Sequence, residues 1–221
     1  MVQSEREEQC ERLGLWPVSL ALSDGQWFTL WGDGETEEDD VVLASSGRLV
    51  LYASLDELYA GVAAQVSNVA GFPIFESFLE SLREGLWPMS YVAYAYPLAS
   101  IPDWIREGVS SWSLIQVEDT LNSLNLVWDA ARSVGNTTVA DTLRPEASLG
   151  EFLEGLYDVT GLLQKEWPTE AAKQLRIPAV LARWDNDVIA LAAAVEEAVD
   201  SVFTPAVRLG IPSGAAGSLG E

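Results

Sequence analysis

Histidine is absent from this sequence, and cysteine occurs once, at Cys10. The first absence excludes Ser-His-Asp and Cys-His catalysis. It also removes the commonest zinc ligand and the usual general base near neutral pH. The second excludes an internal disulfide, a thiolate zinc site and an iron–sulfur cluster. Glu7, Glu8 and Glu11 surround Cys10 in sequence, and their charges raise a thiol pKa, so Cys10 reads as inert. Phosphate loops are lacking too: neither GxGxxG nor GxxxxGK followed by Ser or Thr occurs. Basic residues are scarce, with 12 Lys and Arg against 34 Asp and Glu, for a net charge of -22. Such a field repels DNA, RNA and anionic membranes and attracts basic proteins and cations. No apolar run reaches the roughly 18 residues of a membrane helix. The opening stretch MVQSEREEQCERLG is charged rather than apolar, so a cytoplasmic location is expected.

What is present is a folding composition. Hydrophobic residues make up 48%, and nine tryptophans and six tyrosines supply bulk for a core or an interface. Ser4 and Glu7 predict a capped helix to about Leu13, ended by Trp16-Pro17. Alternation then predicts strands over Val18–Leu22 and Trp27–Trp31 about the turn Ser23-Asp24-Gly25. A second pair, Val41–Ala44 and Arg48–Tyr52, flanks Ser45-Ser46-Gly47. Four strands with short turns predict an antiparallel meander. Ser54 and Glu57 form a capping box for a helix to about Gln65, and Phe75–Arg83 has helical spacing. Tyr91–Tyr96 alternates like a strand, and Pro102–Val109 reads as a helical turn. Helices are predicted over Val117–Val134, from Ser148 to about Tyr157, and from Pro168-Thr169 onward. Finally, Leu181, Val188, Val195 and Val202, with Trp184, Leu191 and Ala198, form a heptad seam on one long helix with Pro178 in its first turn. The expected class is α+β: a small N-terminal antiparallel sheet and a mainly helical second half. The expected division is residues 1–112 and 113–205, changing over near 110 to 116, with a flexible tail over 206–221.

Two stretches, VVLASSGRLVLYASLDELYAGV and VLARWDNDVIALAAAVEEAVDSVFTP, resemble a group of acidic actinobacterial proteins often labelled "primosomal protein". The shared patterns are structural. They imply an acidic cytoplasmic protein and carry over no functional residue.

The loop from Gly32 to Asp40 holds six carboxylates, Asp33, Glu35, Glu37, Glu38, Asp39 and Asp40, and no base. It fails the EF-hand pattern because Glu38 stands where glycine is required. A solvated hairpin loop without a metal is therefore expected. Trp27 and Trp31 share a strand face beside it. Together these eight residues are the candidate partner-binding set, with no catalytic, cofactor or metal residues. Asp103, Glu107 and Asp129, near Trp104 and Trp128, are the acids a carboxylate hydrolase would draw on. The leading expectation is a non-enzymatic interaction protein that binds a basic protein surface, in its strong form a nucleic-acid mimic. The alternatives are a chaperone or assembly factor pairing through the last helix, including as a homodimer, and a carboxylate-based hydrolase.

Overall fold

A computed structural model describes residues 3–34, 40–64, 78, 80–82, 84, 91–162 and 168–210. The chain forms two compact units. The first comprises Met1–Tyr96, Arg132–Gly135 and Pro205–Glu221, and the second Pro97–Ala131 and Asn136–Thr204. The chain thus changes unit at Pro97, ahead of the boundary expected near 110 to 116.

In the first unit, helix α1 (Gln3–Leu13) ends at Gly14, whose φ of 53° suits glycine. Strand β1 (Leu15–Leu22) starts at once, so Trp16-Pro17 lies inside a strand rather than ending the helix. β1 pairs antiparallel with β2 (Gly25–Asp33) in unbroken register from Leu15↔Gly32 to Leu22↔Gly25. Ser23 and Asp24 close this hairpin, and Gly25 takes a φ of 131°. β3 (Asp40–Val42) pairs with the far end of β2. β4 (Ala44–Ser45) and β5 (Arg48–Tyr52) form a hairpin about Ser46 and Gly47, which have φ of 53° and 72°. Positive φ at both turn residues matches the right-handed twist of the strands.

The class is α+β, with strands in the N-terminal half and a mostly helical second half. The sheet is nevertheless mixed, not a plain antiparallel meander, and runs β4-β5-β2-β1-β6. β5 pairs with β2 at Phe28↔Tyr52. β6 (Tyr94–Tyr96) lies parallel to β1, and β7 (Val207–Leu209) lies parallel to β5. β7 comes from the segment expected to be a flexible tail. Arg208 anchors it: Nε pairs with Asp24 Oδ2 at 2.7 Å, and the guanidinium lies 5.5 Å from the Trp27 ring centroid. Residues 211–221 lie outside the described residues.

Helix α2 (Leu55–Ala64) starts where the capping box predicts, with the Glu57 N–H donating to Ser54 Oγ at 3.2 Å. Its Leu58, Tyr59 and Val62 join Cys10, Leu13, Leu15, Leu30, Leu43, Val50, Tyr52 and Phe78 in one buried cluster. Gly61 lets α2 approach closely, since a Cβ there would collide with the Tyr52 ring. Of the helix expected over Phe75–Arg83, residues 78 and 80–82 are helical, and the rest falls outside the described residues.

The second unit is helical: α3 (Ile101–Glu107), a 3-10 turn (Val109–Ser111), α4 (Leu114–Ser133), α5 (Thr137–Thr142), α6 (Ser148–Thr160), α7 (Glu170–Leu181), a longer 3-10 turn (Ala182–Asp187) and α8 (Val188–Phe203). The last two residues of α4 count with the first unit. Its core is an aromatic stack. Trp112 meets Phe152 edge-on at 6.1 Å, and Phe152 meets Trp184 at 5.3 Å. Gln174 ties α7 to the start of α4, accepting from the Leu114 N–H at 3.0 Å and donating to the Trp112 carbonyl at 3.2 Å. Lys173, almost wholly buried, pairs with Glu170 at 3.1 Å and Glu118 at 3.4 Å. These bonds hold its ammonium above its ordinary pKa.

The single long terminal helix is corrected. Pro178 sits inside α7, not in a first turn, and has no N–H to give the Gln174 carbonyl. The following Asp185-Asn186-Asp187 favours local side-chain bonding over helix, and Asp185 Oδ1 accepts from the Ser110 N–H at 3.2 Å. The heptad seam is therefore split. Leu181, Leu191, Val195, Ala198 and Val202 are buried within the chain, while Trp184 and Val188 are half-buried.

Gly155 faces Trp184 so closely that a Cβ would collide with the indole. Trp184→Ala should cost about 2–3 kcal/mol, less than the full core value because the ring is half-exposed. Gly155→Ala should also destabilise. In the double variant the second change should cost less than it does alone, because the collision is gone. Urea titrations of the four proteins check this, and strict additivity would contradict the packing.

Candidate functional site

The β1–β2 register decides which side chains share a face. Trp16 lies directly opposite Trp31, two residues before Asp33. Asp33 in turn lies opposite Asp40, and Trp31 opposite Val42. β6 adds Tyr94 beside Val18 and Tyr96 beside Leu20 on the same face. Trp16, Trp31, Asp33, Asp40, Tyr94 and Tyr96 therefore occupy one sheet face.

Along β1 and β2 this face is buried at Val18, Leu20, Trp27 and Thr29, and opens at one end. There the Trp16 and Trp31 centroids are 5.0 Å apart at 37°. Trp31 and Tyr94 are 6.2 Å apart at 82°, an edge-to-face contact. Tyr94 and Tyr96 are 6.3 Å apart. Trp16 and Trp31 are half-buried and Tyr94 is 48% exposed. Side chains two apart on one strand face are about 7 Å apart, which sets the two carboxylates at the rim of the aromatic group.

Asp33 is exposed and Asp40 half-buried. Burial, and then the charge of Asp33, push the Asp40 carboxyl above its ordinary pKa. The backbone locks the pair in place: the Asp33 N–H donates to the Gly14 carbonyl at 2.8 Å, and a Cβ on Gly14 would collide with the Asp33 carboxylate.

The eight candidate residues are thus divided. Trp31, Asp33 and Asp40 come together. Asp33 ends β2 and Asp40 begins β3, so the ordered strands reach further than the loop expected from Gly32. Glu35, Glu37, Glu38 and Asp39 lie outside the described residues. Trp27 is 3% exposed, with its indole N–H donating to Asp24 Oδ1 at 3.0 Å. It is a core residue, and its ring is not presented to a partner. Trp16 and Tyr94 were not among the candidates. Trp16 was legible, because counting outward from the two-residue turn pairs it with Trp31. Tyr94 arrives by a parallel crossover that no local signal marks.

The acids considered for hydrolysis are set apart. Asp103 ion-pairs with Arg106 at 2.7 Å on the outer side of α3, Glu107 is exposed, and Asp129 is buried on α4. Two cavities of the second unit are small. One, of 190 Å³, is lined by Glu118, Leu121, Asn122, Thr160, Leu162 and Lys173. The other, of 130 Å³, lies among Val139, Leu149 and Ala198. Both fall below the roughly 300 Å³ of small-molecule sites, and neither is lined by those three acids. Among the described residues no group of three His, Cys, Asp or Glu could hold a metal ion, and no helix is long and apolar enough to cross a membrane. Cys10 is fully buried, and burial, with Glu11 and Glu7 as lesser causes, pushes its thiol up to about 12.

The raised pKa of Asp40 has a sign for stability. The folded chain holds this proton more tightly than the unfolded chain, so stability falls as pH rises from about 3.8 through the raised value. Asp40→Asn should then stabilise the protein at pH 7 by about 0.5 kcal/mol, the scale of a like-charge cross-strand pair. The gain should vanish at pH 3. Thermal melts at the two pH values check it, and a destabilised variant at pH 7 would contradict the repulsion.

Among curated proteins no sequence match was found. A solved structure, described as the crystal structure of SatS c-terminal domain in complex with bromine, is similar in fold: 15% identity, a TM-score of 0.59, 90% of this chain and 96% of that chain covered. The family model for the SatS C-terminal domain matches residues 15–192. That span takes in the β1–β2 hairpin, the aromatic end of the sheet and most of the helical unit, and on it the chain belongs to the SatS C-terminal domain family.

Proposed function

We propose that this chain is a non-enzymatic interaction protein that binds a basic surface of a partner protein in the cytoplasm. The observation that carries this reading is the juxtaposition at the open end of the sheet: a half-exposed aromatic group rimmed by Asp33 and Asp40. The net charge of -22 supplies long-range attraction to a basic partner and repels nucleic acid. Aromatic rings supply area and a cation-accepting face once contact is made. Pairing through the last helix is the weaker reading, because the seam it would use is largely buried within the chain. Hydrolysis is also weaker, because its acids divide between exposed and buried positions on two helices.

The test is a titration against a small basic protein, such as a core histone, beside duplex DNA. Binding to the basic protein should be micromolar or tighter at low salt and fall as salt rises. Duplex DNA should not bind at physiological salt. Absence of binding to any basic protein, or salt-sensitive binding to DNA, would overturn the reading.

A further inference from the structure

We propose that β7 is the releasable occupant of a strand-docking site, and that this site takes an extended segment of a partner protein in which arginine stands between aliphatic residues and glycine follows. From the interaction reading above it takes only the basic character of the partner. It lies at the turn end of the β1–β2 hairpin, away from the Trp16–Trp31 end. The chain fills this site with its own residues, which display its chemistry. Val207, Arg208 and Leu209 pair in parallel with Val50, Leu51 and Tyr52 of β5, and the Ala53 N–H donates to the Leu209 carbonyl at 2.8 Å. The Asp24 carboxylate is shared between two donors. Oδ1 accepts from the Trp27 indole N–H at 3.0 Å, and Oδ2 pairs with Arg208 Nε at 2.7 Å. The indole thus holds the carboxylate for a guanidinium that lies 5.5 Å from its ring centroid. Leu209 packs against the buried cluster that contains Tyr52. Gly210, at a φ of 89°, passes so close to Glu57 and Ala53 that a Cβ would collide with both. Arg208, Leu209 and Gly210 are therefore each read by a separate feature: an anion with a ring, an apolar contact, and a close passage.

β7 is held lightly. Among the described residues it pairs with β5 alone, over three residues and in parallel, which is slightly weaker per residue than antiparallel pairing. All three of its residues are half-buried, and the Arg208–Asp24 pair is partly exposed, so solvent screens it. No other described strand is built on it, so it can lift away while the β1–β2 ladder stays closed. A lifted β7 bares the β5 backbone, the Asp24 carboxylate and the Trp27 ring together, and an extended segment of matching chemistry adds there as a strand. While β7 is seated, the tethered strand acts at an effective concentration of roughly millimolar order, so an unmatched arginine peptide at micromolar concentration leaves Trp27 undisturbed. β7 is thus an autoinhibitory contact as well as a strand of the fold.

The probe is a synthetic hexapeptide, Pro-Ala-Val-Arg-Leu-Gly, capped at both ends and titrated into the full chain and its Arg208→Ala variant while the Trp27 indole resonance is followed. The variant should bind the peptide at least about tenfold more tightly than the native chain, because the competing strand is loosened. A lysine in place of the peptide's arginine should weaken binding to the variant by about threefold or more, since an ammonium lacks the planar fork of donors. Asp24→Asn added to Arg208→Ala should weaken the arginine peptide by about as much. Hydrogen exchange on the native chain supplies a measurement that does not depend on how a variant folds. The Ala53 N–H should exchange at least about a hundredfold faster than the slowest amides of the β1–β2 ladder. No saturable Trp27 shift in the variant, or equal affinity for the arginine and lysine peptides, overturns the docking site. Ala53 exchange as slow as the ladder overturns the release, because β7 then opens only with the whole unit. Each of these results leaves the histone titration, and with it the interaction reading, in place.

Discussion

The eight-pair antiparallel ladder between β1 and β2 is the constraint on which the first unit depends. Its turn is a two-residue loop, so its register admits no slip without moving every side chain to the other face. Both strands are buried on both faces over their middle, at Pro17, Val18, Ser19 and Leu20 and at Thr29 and Leu30. Other strands attach to it: β6 to β1, and β3 and β5 to β2. α1 leads into it through a single glycine, and β7 is tied to its turn by the Arg208–Asp24 pair. The candidate site follows from the same ladder, because the register sets Trp16 against Trp31 and carries Asp33 out to meet Asp40.

Charge is the second constraint. A chain with 34 acidic and 12 basic residues cannot neutralise its carboxylates internally. It spends several of its bases on structural pairs: Arg106 with Asp103 and Glu196, Lys173 with Glu118 and Glu170, Arg208 with Asp24. Most of the other described acids are exposed, while Asp129 is buried and Asp119, Asp185 and Asp40 are half-buried. Asp40 lies directly across the strand pair from a second carboxylate, Asp33, and Asp119 lies beside Glu118.

How legible this was varies by element. The capping box at Ser54, the hairpin about Ser23-Asp24-Gly25 and the helical second half could be read because each rests on local rules of spacing and turn chemistry. β6 showed as the alternating stretch Tyr91–Tyr96, but its parallel pairing with β1 did not, and β7 was missed altogether, since a three-residue strand beside a distant partner leaves no periodic trace. The heptad seam misled because apolar spacing every seven residues persists across the 3-10 turn Ala182–Asp187, which follows the helical hydrogen bond that Pro178 cannot donate. Trp27 and Trp31 look equivalent in sequence, two residues apart on one face. Only the ends of the strand separate them: Trp27 lies under Arg208 beside the turn, and Trp31 lies at the open end.

The central claim is that the open end of the sheet, and not the acidic surface at large, is where a basic partner is held. Indole N–H resonances report this directly in a nitrogen-15 labelled sample titrated with an arginine-containing peptide. The signals of Trp16 and Trp31 should shift in a saturable way, while those of Trp27, Trp112 and Trp184 stay in place. Uniform small shifts across all the indoles, or saturable shifts confined to Trp184, would contradict the account.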